Sequence, residues 1–314
     1  MVFMEDVKKV RPGWYNAFRP WSLHGAVVPV LIGGAVAYHD GYLNDTNWWI
    51  FVMVLICGCL LQSAANLLNT YGDYVKGTDT ADTLEDRSRS PELVTGTLKP
   101  KAILLAGLAC LGITALCGIV FIWYIGWGIL IFGILGIAGA GLYTVGISYK
   151  YHAMGLISVF FMMGILMPLG TYYVLSGDIS YIVLFMSLPN AFLITAVLSG
   201  NETRDYYEDK KAGVRTLSSF LTYKGSLNLY LALNIIAFPI LLAVILLQII
   251  PWASALAFIA LIDLYILYRN SKEAPYYKKK NRLLVPLSFR LNWHFGLLLV
   301  AGYLIGQYLI TGAV

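Results

Sequence analysis

Two stretches of this chain bring amides, carboxylates and bases together at the end of a hydrophobic run. The first is Asn66-Leu67-Leu68-Asn69-Thr70-Tyr71-Gly72-Asp73-Tyr74-Val75-Lys76-Gly77-Thr78-Asp79. The second is Asn201-Glu202-Thr203-Arg204-Asp205-Tyr206-Tyr207-Glu208-Asp209-Lys210-Lys211. Helical residues four apart are offset by only about 40°, so Asn69 and Asp73 share a face and Asn201, Asp205 and Asp209 form one stripe. Asp79 falls about 240° from Asp73 on a regular helix, and Gly77 offers a place to unwind and bring it back. Carboxylates with amide oxygens, and no His or Cys at ligand spacing, favour a hard cation. Mg²⁺ takes one or two carboxylates and completes its shell with waters and substrate phosphates. The doubled cluster suggests two such ions. Asn69, Asp73, Asp79, Asn201, Asp205 and Asp209 are the expected ligands, and Asn69, Asp73, Asp205 and Asp209 the expected catalytic set. Lys76, Arg87, Arg89, Arg204, Lys210, Lys211 and Arg215 stand close to these acids in sequence. Acids interleaved with bases suit a metal–diphosphate complex, in which the metal bridges phosphate oxygens and the bases take the remainder. The competing explanation, charges that only set topology and cap helices, is preferred for Lys278, Lys279 and Lys280.

Such groups are costly at membrane depth unless they face a polar cavity or a cation, and the composition makes the membrane the setting. Of 314 residues, 59% are hydrophobic and 12% charged, with a mean hydropathy of +0.70, against about 25% charged in soluble domains. Apolar stretches long enough to span a bilayer lie at roughly 22–39, 48–70, 101–122, 127–147, 155–176, 179–200, 225–248, 251–269 and 290–311. The expectation is an all-α polytopic bundle of nine transmembrane helices around a central cavity open to the cytoplasm. All 22 Lys and Arg fall before the first span or in the loops after the second, fourth, sixth and eighth. The positive-inside rule then puts the N-terminus in the cytoplasm and Val314 outside. Both acidic clusters follow even-numbered spans, the second and the sixth, and so open on the cytoplasmic face. This suggests one domain over 1–314: two four-helix repeats plus a ninth helix. Residues 1–20 read as an amphipathic surface segment rather than a cleavable leader. The net charge of +5 sits in loops, which argues against a nucleic-acid partner. Cys57, Cys59, Cys110 and Cys117 lie inside apolar runs and read as packing residues. Asp263, six residues before Arg269, is expected to form an ion pair within its helix or with a neighbour, or to face the cavity, and Asn190, after Pro189, to satisfy a kinked backbone. His24 and His294 are expected to be hydrogen-bonded packing residues.

The chain resembles the UbiA superfamily of intramembrane prenyltransferases, and most its dihydroxynaphthoate branch, which makes menaquinone precursors. The resemblance starts at Arg19-Pro20-Trp21-Ser22-Leu23 and Val28-Pro29-Val30-Leu31-Ile32-Gly33. It continues through Asn66 to Asp79, the first aspartate motif. Tyr143-Thr144-Val145-Gly146 and Tyr151-His152-Ala153-Met154-Gly155 resemble the loop between the fourth and fifth helices. Ser187-Leu188-Pro189 through Asn201, Arg204-Asp205, Asp209, Gly213 and Thr216-Leu217 resemble the second motif. The resemblance implies a prenyl diphosphate held through two Mg²⁺ ions, loss of diphosphate to an allylic cation, and its capture by an electron-rich ring. It implies diphosphate contacts from Lys76, Arg87, Arg89, Lys150, Arg204, Lys210 and Arg215. It further implies an acceptor and cation pocket drawing on Arg19, His24, Asn66, Tyr71, Tyr143 and Tyr149. The expected partners are a polyprenyl diphosphate, an aromatic quinone precursor and the bilayer of the cell inner membrane.

Other acceptors fit the same machinery: 4-hydroxybenzoate, homogentisate, haem or a glycerol phosphate lipid. From a different class, a cation-coupled transporter also carries intramembrane acids, but usually near the midplane between broken helices. Here they stand at one mouth.

Overall fold

A computed structural model describes residues 13–77, 92–142, 153–211 and 213–311. Among them, nine helices follow the nine apolar runs. They are α1 (His24–His39), α2 (Trp48–Val75), α3 (Pro100–Ile125), α4 (Ile129–Gly141), α5 (Gly155–Ser176), α6 (Tyr181–Arg204), α7 (Tyr223–Leu246), α8 (Trp252–Glu273) and α9 (Leu284–Thr311). Seven are long and apolar enough to cross a membrane. Helix α1 makes an eighth when joined across a 41° bend to Trp14–Ser22, and α4 is a shorter apolar helix. Asp79, Arg87, Arg89, Tyr143, Tyr149 and Lys150 lie outside the described residues, as does 1–12 of the expected surface segment. The described remainder of that segment forms a short helix, Trp14–Phe18, with Trp14 and Tyr15 exposed and Asn16 and Ala17 buried.

Helix α1 runs through the middle, touching α2, α5, α6 and α9. Of the seven long spans, α6 is the most enclosed, with 67% of its apolar window buried, and α3 the least, with 17%. One face of α3 packs on α2, and the rest is apolar and exposed, which has no reason to face water, so α3 marks a lipid-facing side. Trp48, Trp123, Trp127 and Trp252 are all exposed at the end away from the acidic motifs, as residues of an interfacial belt are.

Close helix approach replaces hydrophobic driving force in such a bundle. Gly164 of α5 lets the backbone of Ala191 in α6 come against it, and Gly33 of α1 does the same for the Pro168 carbonyl of α5. Pro168 cannot donate a backbone hydrogen bond, and its ring would crowd the carbonyl four residues earlier. The chain widens into a π turn over Phe160–Leu166 just before it, the usual way to relieve that strain inside a helix.

Polar side chains join helices where the sequence pointed elsewhere. Asn190, expected to satisfy the backbone at Pro189, instead accepts from Asn292 Nδ2 of α9 at 2.8 Å. Tyr230 Oη of α7 donates to the Leu284 carbonyl at 2.8 Å, and Ser288 Oγ donates to Tyr230 Oη at 3.0 Å. Asp263 does not pair with Arg269, which lies six residues on and about 240° around the helix. It faces α9 and takes Arg290 and His294, each at 2.6 Å. His294 is thus hydrogen-bonded as expected, its Nδ1 meeting the Asp263 carboxylate. The four cysteines are free and buried or half-buried, in keeping with packing roles.

Gly164→Leu would force α5 off Ala191. Overpacking of this kind costs about 1–3 kcal/mol, so the variant should melt below wild type in detergent. An unchanged melting temperature would contradict the close α5–α6 contact.

Candidate active site

Helices α2 and α6 bring their acidic turns to one cavity of about 1610 Å³. Helix α2 does not stop near residue 70 as the apolar run does. It continues to Val75, so Asn69 and Asp73 share a helical face on the cavity wall. Helix α6 ends at Arg204, yet the Asp205 amide still bonds the Asn201 carbonyl at 3.0 Å and the Asp209 amide the Asp205 carbonyl at 2.8 Å. Those two four-residue bonds keep Asn201, Asp205 and Asp209 on the wall together even though the helix is interrupted at Asp205. Asp73 is 2% exposed and Asp209 6%. Asp205 is gripped by Arg204 through a two-pronged pair at 2.8 and 2.7 Å, the strongest geometry a guanidinium offers a carboxylate.

The lead-in to α1 closes one side of this mouth. Asn66 Nδ2 donates to the Phe18 carbonyl at 3.0 Å and to Ser22 Oγ at 2.8 Å. Arg19, in the left-handed region at φ 52°, donates to Thr70 Oγ1 at 3.3 Å. Both side chains line the cavity, so they position the lead-in and face the pocket at once. His24 lines it too, edge-on to Phe289 at 4.5 Å and Trp293 at 5.6 Å. Its buried Nε2 has no hydrogen-bond partner among the described residues, so the satisfied packing role expected for it is only half met.

Other expected residues stand elsewhere. Tyr71 is two positions from both Asn69 and Asp73, about 200° around the helix. It packs with Phe18, Leu67 and Ile103 in a side cluster, away from the cavity wall. Lys76 and Arg215 are exposed at their helix end and loop. Lys210 is exposed over the Tyr206 ring, 5.5 Å from its centroid.

Sequence reasoning passed over four lining residues: Glu202, Arg282, Arg290 and Trp293. Glu202 accepts the Ser218 amide at 3.1 Å and so ties the loop after α6 to the cavity wall. Arg290 is held from behind by Asp263. The two arginines looked like loop charges because nothing in the linear spacing says that the start of α9 folds back over the second motif. Asn281 makes that connection, donating to the Arg204 carbonyl at 2.9 Å.

Deeper in, the wall turns apolar: Val27, Leu61, Met162, Met167, Ile194 and Val197. One hollow thus holds hard oxygen donors and guanidinium groups at its mouth and hydrocarbon at depth.

Residues 26–293 match the UbiA prenyltransferase family. The chain is 31% identical over 221 residues to a 1,4-dihydroxy-2-naphthoate octaprenyltransferase of Bacillus subtilis (strain 168), covering 70% of this chain and 69% of that one. It is 30% identical over 235 residues to UbiA prenyltransferase domain-containing protein 1 of Homo sapiens, covering 70% and 67%. Its fold is similar to that of a UbiA homolog from Aeropyrum pernix K1, with a TM-score of 0.65 at 14% identity over 90% and 97% of the two chains. A UbiA homolog from Archaeoglobus fulgidus bound to GPP and Mg²⁺ gives a TM-score of 0.58 at 17% identity, over 91% and 99%.

Glu92 anchors the lead-in from outside the helices, accepting the Gly13 amide on Oε1 at 3.3 Å, while its buried Oε2 has no hydrogen-bond partner among the described residues. Burial pushes its carboxyl above the usual range, against the opposing pull of backbone bonds and Arg19. A raised acid favours the folded state when protonated, so its contribution is full below the unfolded value of about 4.5 and is lost as pH rises through the folded value. Melting curves should therefore show wild type losing stability relative to Glu92→Gln as pH rises from about 4.5 to 8. A constant difference across that range would contradict the buried-acid assignment.

Proposed function

The chain belongs to the UbiA prenyltransferase family, and from that premise we propose that it transfers a polyprenyl group from its diphosphate to 1,4-dihydroxy-2-naphthoate. It is an integral, multi-pass membrane enzyme that transfers prenyl groups. The naphthoate acceptor draws support from the named relative in Bacillus subtilis and from the motifs of the dihydroxynaphthoate branch. The observation that carries the reading is the sharing of one cavity by Asp73 of α2 with Asp205 and Asp209 beyond α6.

The donor set fits magnesium. Asn69, Asp73, Asn201, Asp205 and Asp209 are hard oxygen ligands spread over two walls. Among the described residues no three His, Cys, Asp or Glu side chains gather closely enough to hold an ion unaided. That leaves coordination positions for water and phosphate, as Mg²⁺ prefers. We assign one ion to each motif, with Asp79 completing the first. When bound, the metal would neutralise the diphosphate and make it a better leaving group.

The chain's own groups supply the rest. Arg204, Arg282 and Arg290 line the mouth and offer guanidinium contacts to the departing diphosphate, and the family motifs suggest the same role for Arg87, Arg89 and Lys150. The apolar depth keeps water from the allylic cation, and Trp293 and Phe289 present ring faces for it. Tyr143 and Tyr149 are further candidates for that role. Arg19, Asn66 and His24 make the acceptor side: Arg19 faces a carboxylate, and His24 Nε2 bonds an acceptor hydroxyl.

The positive charges of the loops support a cytoplasmic motif end and an outer Val314, in the cell inner membrane. The single domain is read as two four-helix units plus α9, since α2 and α6 each carry an acidic motif and both flank α1.

The test is prenyl transfer in detergent or nanodiscs with Mg²⁺, a labelled polyprenyl diphosphate, and naphthoate or 4-hydroxybenzoate as acceptor. Prenylated naphthoate should form, and Asp73→Asn or Asp205→Asn should each cut diphosphate release by about a hundredfold or more, the scale of losing a charge-stabilising group. Variants that release diphosphate at the wild-type rate would contradict the metal assignment. Exclusive use of 4-hydroxybenzoate would move the acceptor.

A further inference from the structure

The passage from α8 into α9 concentrates positive charge. Residues 261–290 hold seven Lys and Arg against two acids, a surplus as large as the net charge of +5 on the whole chain. Two of the seven, Arg282 and Arg290, line the cavity. Both acids are met from within the stretch, Asp263 by Arg290 at 2.6 Å and Glu273 by Lys280 at 2.8 Å. Arg269, Lys272, Lys278 and Lys279 are exposed and line no part of the cavity.

The outward face of α8 grades from hydrocarbon to charge along its length. Leu261, Ile262 and Ile266 are exposed and apolar, Tyr265 and Tyr268 are exposed rings, and Arg269 and Lys272 follow. From Leu261 to Lys272 the helix rises about 16 Å, close to half the thickness of a bilayer's hydrocarbon core. The face thus has the profile of one leaflet, from acyl chains to headgroups. Its cations are laid on its rings. Lys272 Nζ stands 4.6 Å over the Tyr268 ring, and the Arg269 guanidinium lies 6.0 Å from the Tyr265 centroid while donating to Tyr265 Oη at 3.2 Å. Past the helix end, Tyr276 is 81% exposed and Tyr277 61%, directly before Lys278 and Lys279. Rings so open belong at a membrane interface. A topology signal needs only the charge, whereas cations seated on rings at headgroup depth form a surface.

We propose that this face binds the headgroups of anionic phospholipids in the leaflet on the motif side. Asn281 puts it at that end, since its amide bonds the Arg204 carbonyl. The lipid phosphodiester would take the Arg269 guanidinium and the Lys272 ammonium, Lys278 and Lys279 would add attraction, and the acyl chains would cover Leu261, Ile262 and Ile266. Only a molecule with both a charged head and a hydrocarbon body covers the whole graded face. Free phosphate or an acidic protein segment would leave its apolar half unserved. The surface is independent of the prenyl-transfer reading.

The test is native mass spectrometry of the full chain, stripped of lipid in detergent and titrated with dioleoylphosphatidylglycerol or dioleoylphosphatidylcholine. Wild type should prefer phosphatidylglycerol about tenfold or more. Arg269→Gln with Lys272→Gln, and Lys278→Gln with Lys279→Gln, should each cut phosphatidylglycerol affinity about tenfold or more, since each base near an anionic surface contributes about fivefold. Lys99→Gln with Lys101→Gln removes equal charge from exposed positions at the start of α3 and should leave the preference in place. An equal fall in that control pair, or a wild type without preference, overturns the proposal. Inorganic phosphate or polyglutamate held by the same residues as tightly as the lipid overturns it too, by naming another occupant. Should the patch variants fail to fold, photolabelling of wild type by a phosphatidylglycerol with a headgroup diazirine decides. Label within 265–279 upholds the surface, and label confined to other parts of the chain overturns it.

Discussion

The structure depends on the cost of keeping charge at the edge of hydrocarbon. Asp73 and Asp209 are almost completely enclosed, and a carboxylate so placed needs a cation, a donor or a polar hollow. Helices α2 and α6 solve this jointly by turning their acidic stripes into one cavity. The same enclosure that makes these acids costly makes their interaction with a metal–diphosphate strong, since a dry, preorganised site screens charge far less than water does.

Much of the remaining architecture holds those two stripes in place. Asn66 of α2 fixes the lead-in to α1, Glu202 fixes the loop after α6, and Asn281 carries the start of α9 across to Arg204. Asp263, well below the surface of α8, aims Arg290 at the mouth. Between helices, glycine contacts and amide or hydroxyl pairs such as Asn190–Asn292 set the spacing, as expected where lipid gives no hydrophobic reward for helix association. The acidic mouth is rigidly supported, while the methionine-lined depth is adaptable. That division suits a substrate with one invariant charged end and a long flexible tail.

The helices and both motifs were legible from the sequence because membrane spans are long and uniform and because four-residue spacing maps directly onto a helical face. Asn69 with Asp73, and Asn201 with Asp205 and Asp209, fall where that periodicity puts them. Tyr71 is close to the acids in sequence, but the same periodicity turns it to the far side of α2, where it packs in a separate apolar cluster. Lys210 and Arg215 illustrate the weakness of charge counting: a base beside an acid in sequence points outwards as readily as inwards. Arg282 and Arg290 were hidden for the opposite reason. They reach the site through tertiary folding of α9 over α6, which no local pattern announces. Of the two ion pairs open to Asp263, the neighbouring one forms: its carboxylate crosses to Arg290 of α9 rather than pairing along α8.

The central claim is that carboxylates from both α2 and the turn after α6 hold one metal–diphosphate complex. It is tested most directly by a crystal or electron-microscopy structure with a non-hydrolysable prenyl thiodiphosphate and Mn²⁺ in place of Mg²⁺, the metal located by its anomalous signal where crystals allow. The account predicts metal about 2.0–2.3 Å from oxygens of Asp73 and of Asp205 or Asp209, with the diphosphate bridging the two sides. Diphosphate bound at one wall alone, or metal lodged outside the shared cavity, would contradict it.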